Sequence, residues 1–234
     1  MVRVMGNIVS YRLDGPVATI VMDDGKVNAM SPRMLGEVGA AFDRAEADRA
    51  VVVLTGREGV FSAGFDLPTL RAGGAESIGM VRAGFELAER ILSFPFPVVV
   101  ACTGHAVAMG VFLALSGDYR VGVEGNFRLA ANEVAIGLTM PYPAIEILRN
   151  RLTPSAFNRA VMLAEPFSPA NAVESGFLDA VVTADELATT ARTIATAAST
   201  LDMAAHAASK LRARGAMLAA MRTGTDAQYS IFVP

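Results

Sequence analysis

The sequence predicts an α/β core followed by a helical C-terminal part, and three observations carry that prediction. Short β-branched runs alternate with segments of helical periodicity up to Thr183. Two of these runs, Val51 to Thr55 and Val98 to Cys102, lack the polar alternation of a half-exposed strand and read as strands buried on both faces. Beyond Thr183 the chain turns alanine-rich and helical, which places a join near Asp185, with residues 1–184 as the core and 185–234 as the helical region.

The elements follow in order. Ile8 to Leu13 alternates with period two, and Val17 to Met22 is its hairpin partner across Asp14-Gly15-Pro16. Ser31-Pro32 opens a helix, with serine as N-cap and proline at the first helical position. Met34, Leu35, Val38, Ala41, Phe42 and Ala45 keep one apolar face along it. After the strand at Val51 a glycine-containing loop leads to Phe61-Ser62-Ala63-Gly64-Phe65-Asp66. Ile78, Val81, Phe85, Ala88 and Leu92 mark the next helix, which Phe94-Pro95-Phe96-Pro97 terminates.

Phe94 to Leu115 is uncharged and long enough to span a bilayer. Pro95, Pro97, Gly104, His105 and Gly110 interrupt it, so it reads instead as a core strand, a Gly104-His105 turn and a buried small-residue helix. Tyr119 to Val123 and Phe127 to Ala130 read as strands, and the chain is mostly helical from Tyr142. Ser168-Pro169 starts a helix that Gly176 ends, and Phe177 to Val182 is apolar. Thr183-Ala184-Asp185-Glu186 is a capping box for the helix that follows.

Composition removes several function classes. With 53% hydrophobic and 18% charged residues over 234 positions, the chain buries a core and does not stay disordered. A net charge of −3 leaves no basic excess to neutralise phosphates, so no nucleic-acid partner is expected. Cys102 is the single cysteine, which excludes an internal disulfide, and no cysteine/histidine cluster could build a zinc site. A reducing, cytoplasmic setting is expected, without metal or membrane association; Met1 to Ser10 has no apolar run of the signal-peptide kind.

Motifs remove more. The two lysines, Lys26 and Lys210, do not follow phosphate-loop spacing, no G-x-G-x-x-G follows a strand, and no G-x-S-x-G is present. Of the two histidines, His105 sits in an apolar turn and reads as structural, and His206 reads as solvated on an alanine-rich helix. Cys102 ends a core strand and reads as an inert buried thiol. Carboxylates and backbone amides remain. Phe61 to Asp66 and Gly104 to Phe112 each place small residues where a strand ends and a helix follows, leaving N–H groups free at a helix start. Two such amides aimed at one point would stabilise a developing oxyanion.

Four blocks of residues resemble the crotonase (enoyl-CoA hydratase/isomerase) superfamily. Val27-Asn28-Ala29-Met30 resembles its "NAL/NAM" turn, and Phe61-Ser62-Ala63-Gly64-Phe65-Asp66-Leu67 its "FSAGxDL" signature. Gly104-His105-Ala106-Val107-Ala108-Met109-Gly110 resembles "GxAxGGG", and Gly117-Asp118-Tyr119-Arg120 the "CDYR" that follows. Asn132-Glu133 through Gly137 and Pro141 resembles "PExxxGxxP". The blocks run in the family's order from about Val17 to Val182.

The resemblance implies a spiral of ββα units, a C-terminal trimerisation region, a homotrimer or dimer of trimers, and an acyl-CoA thioester whose CoA arrives with the substrate, with no separate cofactor. It places the oxyanion hole at the backbone N–H groups of Ala63 and Met109. A methionine there is able to donate provided its φ is negative, and its bulk is expected to narrow the acyl site. Lys26, Val27, Ala29, Ala63, Gly64, Phe65, Asp66, Leu67 and Gly110 are the expected acyl-CoA contacts, with Phe112 and Pro141 lining the acyl pocket.

Hydratases of the family carry two glutamates that hold a water. The first maps to Phe112 and the second to Glu133, so one carboxylate is retained, as in the family's 3-enoyl-CoA to 2-enoyl-CoA isomerases. One base suffices to take a proton from C2 and return it at C4. Glu133 lies among Ala130, Ala131, Val134 and Ile136, an apolar surround that should raise its pKa. Three other readings stand beside isomerisation: a hydratase working with Glu133 alone, another reaction on the same oxyanion hole such as thioester hydrolysis or retro-aldol cleavage, and a CoA-thioester-binding member with little catalysis. Asp66 is expected to be a helix N-cap, and Asp118 with Arg120 a structural ion pair.

Overall fold

The computed structural model describes residues 6–230, with side chains to 224; residues 231–234, the end of the expected C-terminal region, lie outside the described residues. The hairpin β1 (Val9–Asp14) and β2 (Val17–Met22) pairs antiparallel, and β2 then pairs parallel with β3 (Val51–Thr55). β5 (Val98–Cys102), β7 (Tyr119–Val123) and β9 (Ala180–Val182) extend a six-stranded sheet in the order β1-β2-β3-β5-β7-β9.

The uninterrupted apolar strands are covered on both faces, as their composition requires. Val52 and Leu54 of β3, with Val98, Val100 and Cys102 of β5, face the main core. Val51, Val53, Val99 and Ala101 face a second cluster under Leu187, Ala191 and Ala195 of helix α8 (Ala184–Ala198). The main core is closed by α1 (Pro32–Ala47), α3 (Gly74–Ser93), α4 (Met109–Ser116), α5 (Tyr142–Arg151) and α9 (Met203–Ser230), the last through Met217, Leu218 and Met221. Both helices beyond Thr183 therefore build on the core of the first part.

α1 begins as its sequence dictates: the Ser31 hydroxyl accepts the Met34 N–H at 3.2 Å, and Pro32 takes the first helical position. Asp66 caps the short α2 (Leu67–Ala72), its carboxylate accepting the Thr69 N–H at 3.0 Å. α6 (Pro154–Leu163) packs on α5 and the 3-10 turn after Glu133, and α7 (Pro169–Ser175) packs on β9, α7 ending at Gly176 with φ of 91°.

A second, three-stranded parallel sheet in the order β4-β6-β8 corrects two expectations. The Gly104-His105 segment is not a turn but part of β6 (Gly104–Val107), paired with β4 (Gly59–Ser62). His105 sits in that strand with its Nδ1 accepting the Arg128 N–H at 3.1 Å and its ring edge-on to Phe127. The strand expected over Phe127 to Ala130 is reduced to β8 (Leu129–Ala130), since Gly125 turns the chain at a φ of 133° and Phe127 packs against it.

The expected Asp118–Arg120 pair is also corrected. Arg120 pairs bidentately with Asp179 at 2.7 and 2.9 Å. Asp118 takes Lys210 at 2.7 Å and Arg214 at 2.9 Å, and accepts the Val98 N–H at 2.7 Å. Asp118, just before β7, and Arg120 within it thus take separate partners far along the chain, 92 and 59 residues away. His206 is likewise not solvated: it is half-buried, its Nε2 has no partner, and burial lowers its pKa.

Candidate active site

Three parallel strands lying side by side deliver three chain segments to one edge. β4 ends at Ser62 and leads into Ala63 to Asp66, β6 ends at Val107 and leads into Ala108 and Met109, and β8 ends at Ala130 and leads into Asn132 and Glu133. The register pairs Ser62 with Ala106 and Val107 with Ala130, so Phe65, Met109 and Glu133 each lie three residues past a paired position. In parallel sheets the carboxyl edge is where ligands gather.

The first segment is held by a buried hub that the sequence reading passed over. Asn28, fully buried at a φ of 50°, donates its side-chain amide to the Met22 carbonyl at 2.9 Å and the Phe61 carbonyl at 3.1 Å, and accepts the Asp24 N–H at 3.0 Å. Its own carbonyl accepts the Ser62 hydroxyl at 2.7 Å. Asparagine tolerates the left-handed region and supplies both donor and acceptor, which is the local signal for such a hub.

These bonds decide which amides are open. The Ala63 N–H, expected as an oxyanion donor, is committed to the Val27 carbonyl at 3.0 Å. The Gly64 N–H donates to the Ser62 hydroxyl at 3.2 Å, and the Gly64 carbonyl accepts the Met30 N–H at 2.8 Å. The Phe65 N–H makes no hydrogen bond among the described residues. The assignment of Ala63 is therefore corrected: its donor is spent on tying the two loops together, and the free amide of this segment is that of Phe65.

Met109 is the first residue of α4, whose opening N–H groups have no partner within the helix. Its φ is negative, as donation requires; the unusual backbone falls instead on Ala108, at φ 49° and ψ −126°. The two segments are in contact. A Cβ at Gly64 would lie 3.4 Å from the Met109 nitrogen and 2.9 Å from the Ala108 Cβ, and a Cβ at Gly110 would collide with the Ser62 carbonyl. Gly64, at φ 92°, and Gly110 are thus glycine so that the loop after β4 can reach the start of α4.

Two of the residues expected at the acyl pocket are enclosed. The Met109 side chain is fully buried against α3. Phe112, 1% exposed, stacks on Phe85 at 6.1 Å between ring centroids and is a core residue, because α4 is apolar all round and enclosed by the sheet and α3. Pro141 is half-buried and caps the start of α5. Open grooves lie between α1 and α3, about 520 Å³, and beside the 3-10 turn at Val134–Ile136, about 510 Å³.

Glu133 is 7% exposed, and its Oε2 is buried without a hydrogen-bond partner. Loss of hydration raises its pKa from the ordinary 4.5 to about 7, offset only by its own backbone N–H. It is the only carboxylate among the buried polar side chains of the described residues. The neighbouring Asn132 Oδ1 is also buried and unpartnered. Cys102 is fully buried with its thiol pushed up to about 12, which leaves it unreactive.

The Ala63–Val27 hydrogen bond joins the two segments that hold all the remaining expected contacts but Gly110. Lys26, Val27, Ala63 and Leu67 are exposed, and Ala29, Phe65 and Asp66 half-buried, whereas Gly64 and Gly110 are interior. Arg57, which the sequence did not single out, donates to the Lys26 carbonyl at 2.7 Å and pairs with Asp23 at 3.3 Å, fixing that turn.

Two free backbone donors and a buried carboxylate, on segments that leave the same edge of one parallel sheet, are groups that an enzyme stabilising an oxyanion could use. The enoyl-CoA hydratase/isomerase family profile matches residues 12–231, and the chain belongs to that family, with the crotonase fold. The probable enoyl-CoA hydratase EchA3 of Mycobacterium tuberculosis superposes with a TM-score of 0.93 at 46% identity over 96% of both chains. Human mitochondrial delta3-delta2-enoyl-CoA isomerase does so at 0.91 and 29% identity, covering 97% of this chain and 90% of that one. By sequence, the probable enoyl-CoA hydratase echA17 of Mycobacterium avium is 31% identical over 93% of this chain and 81% of its own. The family's members make this protein an enzyme of acyl-CoA metabolism.

Proposed function

We propose that the protein shifts the double bond of a 3-enoyl-CoA to give the 2-enoyl-CoA, with Glu133 as the single base. One observation carries this reading: Glu133 is the only carboxylate buried among the described residues; the motif resemblance adds that Phe112, which cannot move a proton, falls where the family's hydratases carry their first glutamate. Ionised Glu133 takes a proton from C2, and the electron pair passes to the thioester oxygen as a dienolate. The same carboxyl then returns the proton to C4, leaving the bond between C2 and C3. A carboxyl whose pKa is about 7 gives and takes a proton with equal ease near neutrality.

The N–H groups of Phe65 and Met109 bind the thioester oxygen and stabilise its charge as it forms. The turn at Lys26 to Ala29 and the loop from Ala63 to Leu67 hold the CoA part. The name of the human relative, an enoyl-CoA isomerase, supports the reaction; the hydratase names of other relatives support the runner-up, which needs an acid beside Phe112. Exposed Val134, Ile136, Leu138, Tyr142, Met162 and Leu163 suit burial in a homotrimer or a dimer of trimers.

The test is a paired assay of the wild type and Glu133→Gln on a 3-enoyl-CoA and a 2-enoyl-CoA. Formation of the conjugated thioester without water addition, lost in the variant by about 10²–10⁴-fold, is the expected result. Dominant hydration of the 2-enoyl-CoA overturns the single-base reading.

A further inference from the structure

Gly84 lies in the middle of α3, away from the chain segments that carry the amides and the carboxylate. It is buried, and the space a side chain would take is already filled. A Cβ built there would stand 2.6 Å from both Cε1 and Cζ of Phe65 and 3.3 Å from the Met109 sulfur. Ring carbons do not approach a methyl carbon this closely, because ordinary contact begins near about 3.5 Å. The two residues whose N–H groups remain free are thus the two whose side chains rest on this one glycine.

The seat is closed on its inner side. Phe85, the next residue of α3, meets the Phe65 ring edge-on at 6.3 Å and stacks on Phe112 at 6.1 Å. The Phe65 backbone has little play, since the Ala63 N–H and the Gly64 carbonyl on its N-terminal side are held by Val27 and Met30. We propose that Gly84 is a positioning residue: by lacking a side chain it lets α3 anchor Phe65 and Met109 together and so sets the separation of the two oxyanion donors.

This inference rests on the proposed use of those two amides. A methyl group at position 84 drives the Phe65 ring from its seat. The ring then drags its backbone with it or swings outward over the open donors, and either movement degrades oxyanion binding while leaving the CoA-binding turn at Lys26 to Ala29 untouched. Displacement of a positioning group by about 1 Å costs up to about 10²-fold in rate.

The experiment uses the full chain and acetoacetyl-CoA, whose enolate carries charge on the thioester side and absorbs in the ultraviolet apart from the keto form. The enolate fraction when bound, kcat and KM for a 3-enoyl-CoA, and the thermal midpoint are measured for wild type, Gly84→Ala, Phe65→Leu, Gly84→Ala with Phe65→Leu, and Gly79→Ala. Gly79 is on the same helix with open space around an added Cβ, so its variant controls for the helix itself. Gly84→Ala is expected to lower kcat about tenfold or more and reduce bound enolate, with KM within about twofold. Measured against Phe65→Leu alone, adding Gly84→Ala should cost little further of either, and Gly79→Ala should match the wild type.

Enolate and kcat unchanged in Gly84→Ala overturn the inference while leaving the oxyanion hole standing. A Gly84→Ala loss as large on the Phe65→Leu background as on the wild type, or one matched by Gly79→Ala, overturns it as well. Absence of enolate on the wild type removes the oxyanion reading, and this inference with it; hydration in place of isomerisation removes only the proposed reaction.

Discussion

The Ala108 N–H donates to the Ala130 carbonyl at 2.8 Å, and this bond ties together two of the chain segments that carry the candidate chemistry. One residue beyond Ala108 is the Met109 amide, and three beyond Ala130 is Glu133. A parallel-strand contact therefore joins the segment of the proposed donor to the segment of the proposed base.

The carboxylate is held at a cost in stability, which gives the first prediction. With a folded pKa of about 7 against 4.5, Glu133 keeps a proton on folding that the unfolded chain releases between those values. Stability contributed by this group thus falls as pH rises from about 4.5 to about 7. Glu133→Gln should be more stable than the wild type above pH 7, by up to about 3 kcal/mol, and the advantage should vanish below pH 4.5. Calorimetry at pH 4 and pH 8 checks it; equal gains at both would refute the titration argument.

The same titration shapes the rate. Only ionised Glu133 accepts a proton, so kcat/KM on a 3-enoyl-CoA should climb about tenfold per pH unit below about 7 and level off above it. A pH–rate profile with its midpoint near 4.5 would mean that the carboxylate is hydrated in the working enzyme.

Asn28→Ala should cost about 2–4 kcal/mol, because the Met22 and Phe61 carbonyls and the Asp24 N–H each lose a partner. Acyl-CoA affinity should drop with it, since the Lys26 to Ala29 turn is shaped by those bonds. Urea unfolding and titration with a CoA thioester measure the two effects separately.

Asp118→Asn should destabilise by about 3–5 kcal/mol by leaving Lys210 and Arg214 without their counter-charge; the Lys210 side chain is 4% exposed and that of Arg214 11%. Burial already draws the Lys210 pKa down to about 8, with Asp118 opposing the fall, so the variant lysine should deprotonate nearer neutrality. Adding Lys210→Met should restore part of the loss, read from denaturant midpoints.

Local rules made much of the fold legible. The Ser31-Pro32 start, the Asp66 cap, the Gly176 stop and the doubly covered strands all follow from neighbouring residues and periodicity. β6 was not legible, because Gly104-His105 has turn composition and becomes a strand only by pairing with β4 and β8. The partners of Asp118 and Arg120 lie 92 and 59 residues away, beyond any local pattern.

The candidate site divides in the same way. The sequence by itself determined the family's motif blocks and the glutamate within them, because these are properties of residue identity and order; the burial that lifts the Glu133 pKa came from the fold, since Val134 and Ile136, expected to surround it, are exposed. Which amides are free was decided only by the tertiary structure. Ala63, Gly64 and Phe65 are adjacent in the chain and equal as backbone donors. Val27 takes the first N–H and Ser62 the second, which leaves the third open. A hydrogen bond can be assigned only once both of its ends are in place, and here one end arrives from a turn more than thirty residues earlier.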